Sequence, residues 1–374
     1  MDVAFILTAP RIVPSDGVAS QAMTWKKELE DLGYHVKLIN MWEKNDWKSF
    51  SAIILFGFND YLKDFIKWVS PINPNIIVAP IFDPNHSLFL LKAYSLWGCD
   101  KLHLSNSYHD LRSVKDKIRL FLVRSEFEQC FVSRVFGISS HKCAIVPLSH
   151  SLNLPDLVDN QREDFCLHIS LLCDSRKNVK RLIDASQKYN FRLVLCGLLR
   201  NDEEKKLLNS WLEGTNNVEY KGFVSKDEMY ALYKRARVFA LPSIYEGVGI
   251  VALDAAAMGC DIVITKLGGP KEYYKGRAIE VDPYDMDNIG KAVKSFMDGR
   301  TYQPVLSQFV RTVYSASSIS ILLDDANADF FIITGICRNQ TAYFLKSSLH
   351  GILNLTDLTF CINISRGKSA VITV

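Results

Sequence analysis

The chain has 374 residues, 48% of them apolar and 23% charged, and a net charge of +3. That length is more than one core ordinarily uses, so two domains are expected. So small a net charge gives no field of the kind that nucleic-acid binding needs. No apolar run reaches membrane-spanning length. The nine cysteines form no CxxC pair, and their irregular spacing reads as reduced thiols in a cytoplasmic protein rather than as disulfides or a metal site.

Asp2 to Thr8 reads as a first strand, without the basic start of a signal peptide. Ser20 to Leu32 reads as a helix with Ala22, Trp25, Leu29 and Leu32 on one face, and Tyr34 to Asn40 as a second strand. Strands at 52–56, 76–81, 120–124 and 142–147 complete a first sheet. Between them, Tyr61, Lys63, Phe65, Lys67 and Trp68 lie on an amphipathic helix, read as ordinary surface, with peripheral contact to a membrane-borne acceptor as the alternative. Ser149 to Glu163 is polar, carries Pro155 and reads as a linker. A second series follows, with strands at 165–170, 191–196, 218–221 and 237–241 and helices at 178–189 and 201–212. Ser225-Lys-Asp-Glu228 is a capping-box signature for the next helix. Strands alternating with helices imply an α/β fold with doubly wound parallel sheets. Two such sheets would face a central cleft, with ligands beyond the carboxyl ends of the strands.

The most informative segment is Glu246-Gly-Val-Gly-Ile-Val-Ala-Leu-Asp254. The strand before it is apolar and the stretch from Ile250 is rich in Ala and Leu, so a helix should open near Gly249. Gly247 and Gly249 let backbone approach a ligand, and the free N–H groups of the helix's first turn favour phosphate. Glu246 and Asp254 would stand roughly 12 Å apart at about 1.5 Å per helical residue, too far to share a proton but suited to gripping two ends of a sugar nucleotide. Ser175-Arg176-Lys177-Asn178 offers two cations for a diphosphate after the first strand of the second half.

The run from Pro242 to Gly259, with Ile262 to Thr265 and Gly268-Gly269-Pro-Lys-Glu272, resembles the donor site of retaining glycosyltransferases of family 4, which have the GT-B fold. That likeness is specific from about residue 164 to 300. It implies two Rossmann-like domains: 1–150 for the acceptor and 164–300 for the donor. Residues 301–325 would form a closing helix that packs back on the first domain, within which Phe309 to Leu323 is the helical stretch, and 326–374 a tail of unknown role. The resemblance assigns Glu246, Gly247, Val248, Gly249, Ile250, Asp254, Gly268, Gly269 and Glu272 to donor binding, and Glu246, Lys177 and Arg176 to the chemistry. Asp254 takes the place of the second Glu in the family's E-x7-E pair. The family's Arg usually lies where this chain has Leu172, so either Arg176 substitutes or that role is weakened. Gly17, in Ser15-Asp-Gly-Val-Ala19, is either the family's glycine loop near the donor phosphates or a turn residue. Asp83 and His86 are candidates for the acceptor wall, His86 otherwise being an exposed or capping residue.

The implied reaction is retaining transfer of a hexose-type sugar from a nucleoside-diphosphate sugar to a glycan, lipid-linked or small-molecule acceptor, as in cell-surface polysaccharide or glycoconjugate synthesis. No metal or other cofactor is expected. Asp285-Met-Asp287 has DxD spacing but falls where acids cap a helix. The location implied is the cytoplasm, or the inner face of the membrane. The alternatives are a catalytically idle GT-B subunit that binds or scaffolds a partner, and a GT-B epimerase or phosphorylase.

Overall fold

The computed structural model describes residues 1–7, 17–40, 43–59, 61–83, 86–98, 106–150, 154 and 162–323. Residues 1–325 form one compact unit, and the expected tail, 326–374, lies outside the described residues. Short apolar runs supply the strands. In the first half these are β1 (Asp2–Leu7), β2 (His35–Leu38), β3 (Ala52–Phe56), β4 (Ile76–Ala79), β5 (Leu120–Val123) and β6 (Cys143–Ile145). In the second they are β7 (Glu163–Ile169), β8 (Arg192–Cys196), β9 (Val218–Tyr220), β10 (Ala236–Leu241), β11 (Asp261–Thr265) and β12 (Ile279–Val281).

Each set makes a six-stranded sheet, in the orders β2-β1-β3-β4-β5-β6 and β12-β11-β10-β7-β8-β9. All pairings are parallel, with Val3 beside both Val36 and Ala52 in the first sheet and Val238 beside Cys166 and Asp261 in the second. β3, β4 and β11 are buried along their whole length, as expected where helices cover both faces of a parallel sheet. The strand order reverses between β1 and β3 and again between β7 and β10. Crevices for ligands open at such points.

The first crossover helix, Gly17–Asp31, buries Ala22, Trp25 and Leu29. Leu32, expected on the same face, is 43% exposed. The helix ends one residue earlier, where Gly33 takes a positive φ of 88° and turns the chain. Each half has its own core, around Leu55, Val78 and Phe121 in the first and around Leu195, Val238 and Phe296 in the second. The six cysteines in the described residues with assigned states, including buried Cys166, Cys196 and Cys260, are free thiols.

The single closing helix expected over 309–323 is two helices, Val305–Val313 and 316–323. Ser315 explains the break: its hydroxyl accepts from Ser318 N at 3.1 Å and so caps a new helix. At the junction Tyr314 O accepts from His150 N at 2.9 Å, which joins this segment to the end of the first half. The amphipathic helix, Leu62–Val69, is in part ordinary surface. Lys63 pairs with Asp110 at 2.6 Å and Phe65 packs edge-on to Trp47, while Tyr61 and Trp68 are exposed.

Candidate active site

The site forms at the β7/β10 reversal, where two loops are locked together by backbone and amide contacts. Asn178 ends the turn after β7 with a φ of 61° and donates from Nδ2 to Pro242 O at 3.0 Å and Pro283 O at 2.7 Å. One buried amide thereby ties the exits of β7, β10 and β12. Ile244 N donates to Arg176 O at 2.7 Å, which fixes the two loops to each other.

That scaffold brings Lys177 and Glu246 into an ion pair through Nζ and Oε2, with their side chains only 16% and 14% exposed. Ser243 Oγ donates to the same carboxylate oxygen at 3.3 Å. Arg176 is turned by Asp174, which its guanidinium reaches at 2.7 Å, and lies over the Tyr245 ring, 5.4 Å from its centre. The hydrogen bond to Asp174 pushes the Arg176 pKa up, so the group stays cationic. Beyond Glu246 the chain turns at Gly249, whose φ of 74° suits glycine, and the helix Ile250–Ala257 begins at the next residue.

The first half supplies the opposite wall. Arg124, at the end of β5, is buried and donates to Asp83 Oδ1 at 2.7 Å and to Glu128 Oε2 at 2.9 Å. The halves meet closely here. A Cβ on Gly247 would fall 2.0 Å from Asp83 Oδ1, and one on Gly269 would fall 2.7 Å from Ser125 Oγ. Tyr273 reaches across, donating to Arg124 O at 2.9 Å while its hydroxyl accepts from Leu148 N at 3.0 Å. Between the walls lies a cavity of about 320 Å³, lined by Asp83, His86 and Phe127 from one half and by Tyr245, Glu246, Gly268 and Tyr284 from the other.

Glu246, Gly268, Asp83 and His86 thus share one cavity, and Lys177 joins it through its ion pair. Val248 is buried beneath the loop, and Ile250 opens the helix behind it. Two expected ligand residues are placed otherwise. Asp254 is 2% exposed, with the rings of Tyr233 and Tyr274 near enough for its charge to help raise their hydroxyl pKa values beyond the larger effect of burial. The helix that carries it is buried without a break from Ala252 to Ala257. Glu272 caps the first-half helix Glu126–Phe136, accepting from Glu126 N at 2.8 Å and Phe127 N at 2.9 Å. Its carboxylate is therefore spent on joining the halves. Gly247 and Gly269 likewise allow contact between the halves. Gly17 opens its helix, while Ser15 and Asp16 of its loop lie outside the described residues.

Arg124, Glu128, Tyr273 and Asn178 had no site role assigned from the sequence. Of these, Glu128 carries a local signal: Ser125-x-x-Glu128 has capping-box spacing, and Ser125 Oγ accepts from Glu128 N at 3.1 Å. Asp285 is the helix cap its position implies, accepting from Asp287 N at 2.9 Å and Asn288 N at 3.0 Å. Among the described residues no group of three or more His, Cys, Asp or Glu is placed to hold a metal ion, and no helix is long and apolar enough to cross a membrane.

Residues 161–312 match the family model described as glycosyl transferases group 1. The chain is 24% identical over 234 residues to the O-antigen chain mannosyltransferase B of Escherichia coli, a match covering 56% of this chain and 61% of that protein. The fold is GT-B. It superposes on sucrose-phosphate synthase from Thermosynechococcus elongatus with a TM-score of 0.68 at 16% identity, over 89% of this chain and 99% of the other. It superposes on Anabaena HepE, solved with UDP and glucose, with a TM-score of 0.66 at 13% identity, over 88% and 100% of the two chains.

Proposed function

We propose that this chain is a glycosyltransferase that moves a hexose-type sugar from a nucleoside-diphosphate sugar to a glycan, lipid-linked or small-molecule acceptor, with retention of anomeric configuration. Its setting is cell-surface polysaccharide or glycoconjugate synthesis, in the cytoplasm or at the inner face of the membrane. The observation that carries this reading is the Lys177–Glu246 ion pair at the strand-order reversal, opening on a cavity that both halves line. The group 1 match over 161–312 supports it. The name of the mannosyltransferase relative favours a mannosyl donor, and the UDP and glucose bound by HepE make a UDP-sugar the other candidate.

In this reading the ion pair is exchanged when donor binds. The diphosphate draws Lys177, and Glu246 is released to accept from sugar hydroxyls. Arg176 adds a second positive charge, and the first-turn N–H groups of the helix Ile250–Ala257 add dipoles at the same place. As the bond from the anomeric carbon to the phosphate oxygen breaks, negative charge grows on that oxygen, where these groups stabilise it most. The acceptor hydroxyl forms the new bond on the same face and gives its proton to the leaving phosphate. Asp83 and His86 border the acceptor side. No metal is required.

One observation favours an idle subunit instead. Leu172 stands where the family's phosphate-binding Arg is expected, and it is fully buried, so that cation has no replacement at its own position. Incubation with UDP-, GDP- and dTDP-sugars and candidate acceptors, followed by proton NMR of the product, separates the two readings. A new glycoside with the donor's anomeric configuration supports the transferase. Inversion refutes retention, and no turnover of any donor favours the idle subunit.

A further inference from the structure

At the amino-terminal edge of the first sheet, opposite the edge that builds the cleft, the connections entering β4, β5 and β6 border a second, open surface cavity of about 520 Å³. Ligands of doubly wound sheets bind at the carboxyl edge, so the reaction proposed above makes no use of this concavity. Its charged lining is Lys117, Arg119 and Lys142 with one acid, Asp116. Asp116 is 87% exposed and lies 3.9 Å from Lys115, which is not in the lining.

Lys117 and Lys142 are held by neutral oxygens, and Arg119 reaches one as well. Lys117 Nζ donates to Ser70 Oγ at 3.4 Å, Arg119 Nη1 to Asn75 Oδ1 at 3.0 Å, and Lys142 Nζ to Ile118 O at 3.3 Å. Such contacts orient the two lysines without cancelling their charge. Pro71 and Pro74, in the same wall, fix φ on either side of the loop and hold it in shape. Cations gathered in one concavity repel each other and raise the local concentration of anions.

We propose that this cavity binds a phosphate-bearing anion, whose oxygens accept from Lys117, Arg119 and Lys142. Point contacts with the two lysines, beside the Arg119 guanidinium, match phosphate chemistry. The ligand is either a soluble diphosphate or the headgroup of an anionic phospholipid. In the second case the amino edge of the first half would rest on the bilayer.

The test uses the full chain carrying Lys177→Ala, so that the cleft contributes little to diphosphate binding. Inorganic diphosphate is titrated calorimetrically, and flotation is measured with phosphatidylcholine vesicles, with and without phosphatidylglycerol. Adding Lys117→Glu and Lys142→Glu should weaken whichever binding is seen by about tenfold or more. Lys117→Gln with Lys142→Gln, which leaves the fold undisturbed by new charge, should weaken it to a smaller degree. Diphosphate binding lost in these variants identifies a soluble ligand. Flotation only with phosphatidylglycerol, lost in the same variants, identifies the headgroup. Absence of both signals, or binding indifferent to the substitutions, overturns the proposal.

Discussion

Glu28 should make the protein less stable as the pH rises through neutrality, and Glu28→Gln should remove that loss. The carboxyl group lies on the buried face of the helix Gly17–Asp31, 1% exposed. Ser149 Oγ donates to Oε1 at 2.7 Å, while Oε2 has no hydrogen-bond partner among the described residues. Burial pushes its pKa up from 4.5 to about 7, against the lowering effect of the Ser149 hydrogen bond. Between those values the native chain holds a proton that the unfolded chain has lost, so stability falls with pH there by about 1.4 kcal/mol per unit. The contribution is complete below 4.5 and gone above 7, and the 2.5-unit interval sets its size at about 3 kcal/mol. Glutamine has the shape of the protonated acid and cannot ionise. Urea denaturation of both proteins between pH 5 and 8.5, followed by tryptophan fluorescence, should give curves that diverge as pH rises, with the variant the more stable at 8.5. Parallel curves would show that Glu28 does not titrate in this window and refute the reasoning.

Glu246→Ala and Lys177→Ala should each lower turnover about a hundredfold or more while leaving circular dichroism unchanged; ordinary turnover in either removes that residue from the chemistry. Asn178→Ala deletes three hydrogen bonds and places alanine at a φ of 61°, which should cost about 2–4 kcal/mol in chemical denaturation. A loss under about 0.5 kcal/mol would mean the loops are held by something else. Gly247→Ala puts a methyl 2.0 Å from Asp83 Oδ1 and should force the halves apart, seen as a larger radius of gyration in small-angle scattering; an unchanged radius would mean the contact is not rigid.

Most strands were legible because a parallel sheet covered on both faces asks for continuous apolar runs, as in Ala52–Phe56 and Ile76–Ala79. Gly249 and the helix after it were legible because a glycine before a breaker-free Ala-rich run leaves little choice. Asp254 was not. With Ala252, Leu253, Ala255, Ala256 and Ala257 all buried, the helix has no polar face to show which side meets the cleft. Glu272 and Tyr273 were misread or missed for another reason. Their partners, Glu126, Phe127, Arg124 and Leu148, are more than 100 residues away, and no local spacing encodes such a contact. The break at Ser315 was in the sequence: a serine followed three residues later by another serine hid a cap that a glutamate there would have announced.

Whether Lys177 and Glu246 form a nucleotide-sugar donor site is decided by calorimetric titration with UDP, GDP and dTDP, with and without EDTA. The account predicts that one nucleotide binds, that EDTA leaves its affinity unchanged, and that Lys177→Ala abolishes the heat. No binding of any of the three, or binding that survives Lys177→Ala unaltered, would contradict it.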